Sequence, residues 1–209
     1  MALTYRALSR LLSYPEADIQ AAAQSCVDVI REEGLVPTRI VRALAKLADH
    51  IANLDLYEAQ SSYVDLFDRT RSVSLHLYEH VHGESRDRGQ AMVNLMAQYR
   101  EAGLDIGVKE LPDYLPLFLE YLSTRPWEEI RNWLEDIHHI LGLLGERLYQ
   151  RESVYHVVMD SLLVLSGRKT NRQELARIVA SEERDDTPEA LDKVWEEEMV
   201  KFVDDQGSS

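Results

Sequence analysis

Apolar residues recur along this chain at helical spacing almost from end to end. Ile40, Leu44, Leu47, Ile51 and Leu54 step by four and three, which puts them on one face of a helix. Ile130, Leu134, Ile137, Leu141, Leu144 and Leu148 keep the same rhythm over about five turns and predict one long helix. Ile19, Ala22, Ala23, Cys26, Val27 and Ile30 make a third stripe, and Leu191, Val194, Trp195 and Phe202 a late one. No strict apolar–polar alternation runs far enough to demand a strand. The stretch 154–165 is β-branched and apolar, but its length, with Asp160 and Ser161 inside it, favours a buried helix.

Breakers and caps divide the pattern. Tyr14-Pro15 ends a first helix and opens the next, with the proline expected in the first turn. Gly34 is placed to cap the second helix, and Pro37-Thr38 to start the third. Gly103 and Gly107 bracket a loop, and Gly167 closes the 154–165 helix. Thr170 with Gln173, or Asn171 with Glu174, has the spacing of a capping box. Thr187-Pro188-Glu189 reads as a helix start. The sum is an all-α, single-domain bundle of about ten helices over residues 1–203, with 204–209 a flexible tail.

Composition narrows the function. The 209 residues carry a net charge of −14, which argues against nucleic acid or an anionic membrane as the main partner and favours a basic one. Cys26 is the single cysteine, so no internal disulfide forms and a reducing compartment is expected. With no secretory signal and no apolar run of about 20 residues, the chain reads as cytoplasmic, with no direct membrane insertion.

Candidate chemistry concentrates in two places. Between Glu79 and Gln90 lie Glu79, His80, His82, Gly83, Glu84, Arg86, Asp87 and Arg88. Such mixed charges either satisfy one another and fix a loop, or present a surface to a partner. Glu79, His80 and His82, with Glu135-x-x-His138 further on, have metal-ligand chemistry. A di-iron bundle, however, needs a second Glu-x-x-His, and the chain has none. Phosphate-loop, dinucleotide and nucleophile-elbow signatures are missing as well, so an enzyme is the weaker reading and no catalytic residue or metal site is assigned.

The second place is 110–122, where Leu111, Leu115, Phe118 and Leu122 fall on one face of a helix beside Tyr114 and Tyr121. Pro116 inside that helix predicts a kink or a freed carbonyl. Glu110, Asp113 and Glu120 alternate with the aromatics. This is either a core helix with a solvated acidic face or a groove for a basic amphipathic helix, with Tyr63, Phe67 and Asp68 as another wall. From Glu182 to Glu198, nine carboxylates face two basic residues, a solvated run that could also steer a basic peptide.

These residues resemble a known family. Tyr63-Val-Asp-Leu-Phe-Asp-Arg69, the run Tyr78 to Met92 with Ser74-Leu before it, Glu110 to Leu122, and the late Glu183 to Leu191 with Val194 to Glu198 are similar to the NarJ-type chaperones of respiratory nitrate reductase, relatives of the TorD and DmsD redox-enzyme maturation proteins. The resemblance implies an all-helical, non-enzymatic chaperone that keeps no cofactor of its own. Its implied partner is the apo catalytic subunit, bound chiefly through a basic amphipathic N-terminal segment. That client then receives molybdopterin guanine dinucleotide and an iron–sulfur cluster before membrane docking. The molybdenum cofactor biosynthesis machinery is a further possible partner.

Roles follow residue by residue as expectations. Phe67, Leu75, Tyr78, Tyr114, Leu115, Phe118 and Leu119 supply apolar pocket surface, and Asp68, Glu84, Glu110, Asp113 and Glu120 meet basic client side chains. His80, His82, Gly83, Arg86, Asp87 and Arg88 shape the loop, the histidines adding pH sensitivity. A metal-dependent helical enzyme and a general amphipathic-helix adaptor are the alternatives.

Overall fold

A computed structural model of the chain describes residues 2–82, 86–104, 110–187 and 189–190. Eleven α-helices and one 3-10 turn run through them, and no strand forms among the described residues. Helix α1 (Leu3–Leu12) is the hub and packs against α2 (Ala17–Glu33), α3 (Thr38–Asn53), α7 (Leu115–Ser123) and α10 (His156–Leu165). Seven of its ten residues are buried, and only the stripe Leu3, Arg6 and Arg10 faces solvent. Its first amides are capped from outside: Leu3 and Thr4 N–H donate to the Glu33 carboxylate at 2.8 and 2.6 Å.

Pro15 lies ahead of α2 instead of in its first turn, while Gly34 caps that helix in the left-handed region at φ 65°. Gln20 reaches the carbonyls of Ile51 and Leu54, and Gln24 reaches Asp49, so α2 and α3 run antiparallel. Of the α2 stripe, Ile19, Ala23, Val27 and Ile30 are buried, whereas Ala22 and Cys26 lie at its edge.

The long stripe from Ile130 to Leu148 spans two helices, α8 (Trp127–Asp136) and α9 (His138–Gln150), interrupted at Ile137. The ladder persists across the joint through Ile137 N–H to Trp133 O and Leu141 N–H to Ile137 O. Helix α9 packs closely on α10 and α11 (Arg172–Ala180). Close approach is possible because a methyl at Gly142 would sit 3.1 Å from the tip of Leu175, and one at Gly145 3.0 Å from Met159 Cβ. Of the two candidate capping boxes, Asn171 forms: its side chain accepts from Glu174 N–H and donates to Glu174. Ala190 N–H donates to Thr187 Oγ1, as a helix start requires. Gly107 and the stripe Leu191, Val194, Trp195 and Phe202 lie outside the described residues, as does the tail 204–209.

Among the described residues no helix is long and apolar enough to cross a membrane.

Candidate functional site

Helix α4 (Leu56–Phe67) ends at Asp68, and the chain passes through the 3-10 turn Arg71–Val73 into the segment 74–78. Val73, Leu75 and Leu77 point inward and are buried, while His76 and Tyr78 stay half-buried. The segment 74–78 lies beside 113–115 through one isolated antiparallel bridge flanked by turns. His76 bridges Tyr114, Leu115 N–H donates to Leu75 O at 2.8 Å, and Leu77 N–H donates to Asp113 O at 3.0 Å. The turn closed by Tyr114 N–H to Leu111 O at 3.0 Å, together with this bridge, takes the place of helix over 110–114. Helix α7 begins only at Leu115, which leaves Pro116 in its first turn, where a missing N–H breaks nothing. The kink expected at Pro116 is therefore absent. Its carbonyl instead accepts from Ser9 Oγ at 2.6 Å and pins α7 to α1.

Asp113 sits at the centre, fully buried. Its carboxylate accepts from Tyr78 N–H at 2.9 Å and faces His76 Nδ1 at 3.4 Å. The hydrogen bond to Asp113 raises the His76 pKa against the opposing effect of burial, helped by the charges of Asp113, Glu79 and Glu110. His80 behaves in the opposite way: burial and the Arg147 charge lower its pKa, while its Nε2 donates to Ser74 O at 2.8 Å. The two imidazoles therefore sit on opposite sides of their ordinary titration point.

An aromatic cluster joins this segment to the rest of the molecule. Tyr63 contacts Tyr14, Phe67 and Tyr155, and Tyr114 stacks at an angle on His76. Tyr63 OH donates to Leu12 O and lies 2.7 Å from Tyr114 OH, whose pKa burial pushes up to about 12. At the open edge stands Asp68, where partial desolvation raises the carboxyl pKa and the His76 charge pulls it back. Glu110 and Leu111 are exposed beside it. Arg88 of α6 (Arg86–Glu101) reaches Glu79 of α5 (Glu79–His82) at 3.2 Å.

On the neighbouring side a cleft of about 380 Å³ is lined by Glu79, His80, Arg147 and Asp185, among others.

The structure corrects part of the expected pocket. Phe67, Leu75, Leu115, Phe118 and Leu119 are each 3% exposed or less and belong to the main core, because α7 is wrapped by α1 on one side and Trp133 on another. They support the site from beneath and present no surface. Asp113 is likewise turned inward to hold the segment together, with no surface for a client cation. Glu120 is exposed but lines a separate cleft between α1 and α2. What the structure does gather at one edge is Asp68, His76, Tyr78, Glu79, Glu110 and Tyr114, with Asp87 exposed on α6 and Arg88 paired as described. Glu84 and Gly83 lie outside the described residues, as do the side chains of His82 and Arg86.

The residues with metal-ligand chemistry are engaged otherwise. His138 Nδ1 bonds Ser166 Oγ at 2.9 Å, and Glu135 pairs with Arg168 and Arg131. No group of three or more His, Cys, Asp or Glu converges on a metal-sized site among the described residues. His76, Arg147 and Tyr155 escape the sequence reading. The inward alternation of Val73, Leu75 and Leu77 is the signal that could have placed His76.

Known proteins share the fold and much of the sequence of this chain. A solved structure from Archaeoglobus fulgidus, assigned to a redox enzyme maturation protein, shares the fold at a TM-score of 0.55 and 19% identity, over 80% of this chain and 94% of that one. The model of the nitrate reductase delta subunit family matches residues 35–157, and the chain belongs to that family. NarJ of Escherichia coli K12, a nitrate reductase molybdenum cofactor assembly chaperone, is 49% identical over 96% of this chain and 85% of its own length. NarW of the same strain, assigned the same role, is 42% identical over 98% of this chain and 85% of its own length.

Proposed function

We propose that this protein is a cytoplasmic assembly chaperone for the catalytic subunit of respiratory nitrate reductase and takes no part in catalysis itself. The single observation that carries the reading is the 49% identity with NarJ across nearly the whole chain. The edge formed by Asp68, Glu110 and Leu111, on a chain of net charge −14, supports recognition of a basic amphipathic segment at the client's N-terminus. Bound there, the client stays open for insertion of molybdopterin guanine dinucleotide and an iron–sulfur cluster, and it docks at the membrane afterwards.

Complementation tests this. In a nitrate-respiring host stripped of its own delta-family chaperones, expression of this chain should restore nitrate reductase activity and molybdenum content of the purified catalytic subunit. Activity and molybdenum left at the chaperone-free level, with the protein present and folded, would overturn the assignment.

A further inference from the structure

The chain leaving α11 is held against α9 and the 3-10 turn almost wholly by charge. Glu182 takes a fork from Arg147, Nε at 2.8 Å and Nη2 at 2.7 Å, while Arg147 Nη1 donates to Ser72 O. Asp185 accepts Ser72 N–H and Ser72 Oγ–H, each at 2.8 Å, and pairs with Arg151. Arg151 also reaches Thr70 Oγ1 at 3.1 Å, Ser72 Oγ at 2.8 Å and Asp186 at 3.5 Å.

The two sides of this tie are unlike. Arg147 on α9 and Arg151 at its C-terminal cap are 15% and 9% exposed, whereas Glu182 and Asp185 are about twice to three times as exposed, at 32% and 30%. Helix α11 buries a single apolar residue, Val179, so little hydrophobic contact backs the attachment. A segment held this way opens locally at far less than the free energy of global unfolding.

Its position gives opening a consequence. Glu183 and Asp185 line the same cleft as Glu79 and His80, and Ser72 lies two residues before Ser74, whose carbonyl holds the His80 imidazole.

We propose that residues 182–186 are a releasable strap: closed, they wall the cleft beside Glu79 and His80 with their carboxylates held by Arg147 and Arg151, and open, those carboxylates are freed to take the cations of the basic client segment. The inference rests on the chaperone reading above. The differential interaction that drives it is partner exchange. A client cation can pair with Glu182, Asp185 or Asp186 only when these leave Arg147 and Arg151. Client binding therefore favours the open strap, and strap opening favours client binding by the same factor.

The test uses the full chain and a synthetic peptide of the catalytic subunit's N-terminal segment, with calorimetry and amide hydrogen exchange over residues 182–187. Saturating peptide should speed exchange there in the wild type. Arg151→Gln should exchange faster without peptide and bind it about fivefold more tightly. Ser72→Ala, a milder lesion that keeps the backbone donor, should move both readouts the same way by less. Peptide that binds the wild type but leaves exchange at 182–187 unchanged or slower overturns the strap. So do folded variants of unchanged peptide affinity. Failure of the peptide to bind the wild type overturns the chaperone reading and takes the coupling with it, whereas exchange that ignores both substitutions condemns the strap alone.

Discussion

At the scale of residues, Asp113 decides how the 74–78 segment behaves. Its carboxylate, fully buried, satisfies Tyr78 N–H and favours a charged His76. The folded His76 pKa is raised, so its contribution to stability is complete below the ordinary value of about 6.5 and fades as pH rises through the folded value. His80 is lowered, so its neutral, buried form contributes above about 6.5 and is lost as pH falls toward the folded value. Imidazole NMR titration should resolve His76 above and His80 below the ordinary value, and Asp113→Asn should bring His76 down. Asp113→Ala leaves a buried amide without its acceptor and should remove roughly 3 kcal/mol by urea unfolding. Sequence reading singles out Asp113 and His80, since carboxylates among aromatics and paired histidines stand out. It misses His76 because a lone histidine in an apolar run carries no signature until its partner, 37 positions away, is in place.

At the scale of elements, cap and stripe signals translate well where the governing contacts are local. Gly34, Asn171 and Gly167 all act within a turn of themselves and end or start helices where spacing places them. The start of α7 depends on its bridge to 74–78, and spacing alone mislocates it, as it misses the break between α8 and α9. The helical glycines of α9 make a sharper test. Gly142→Ala meets only the mobile end of Leu175, so the gain in helix propensity should leave stability unchanged or raised by up to about 1 kcal/mol. Gly145→Ala meets Met159 Cβ, which cannot swing away, and should lose about 1–2 kcal/mol despite the same propensity gain. Thermal unfolding of the two variants in parallel distinguishes them.

At the scale of the whole molecule, the division between core and exposed edge is what hydrophobicity alone does not tell. Leu115, Phe118 and Leu119 look like groove anchors in sequence and prove to be the filling between α1, α7 and α8. Phe118→Ala should lose about 3–5 kcal/mol by denaturant unfolding, and any loss of client binding would follow from that. Surface substitutions act differently. Asp68→Asn with Glu110→Gln should leave the unfolding midpoint nearly unchanged, weaken binding of the client peptide and flatten its dependence on salt, measured by calorimetry at two ionic strengths. Much of the fold class was legible because helical periodicity survives burial. The candidate edge was legible only as a composition, because it is assembled from 68–80 and 110–114 across one isolated bridge that no local pattern announces.

The anchoring of α1 bears on how this chain comes into being. Ser9 takes hold of Pro116 O, and Ala2 N–H of Ser123 O, both more than a hundred positions downstream. At ribosomal speed that gap lasts roughly 5–20 s, during which α1 has α2 and α3 to pack on but lacks α7, the helix that receives both of these bonds. Until α7 emerges, the side of α1 that it covers stays bare.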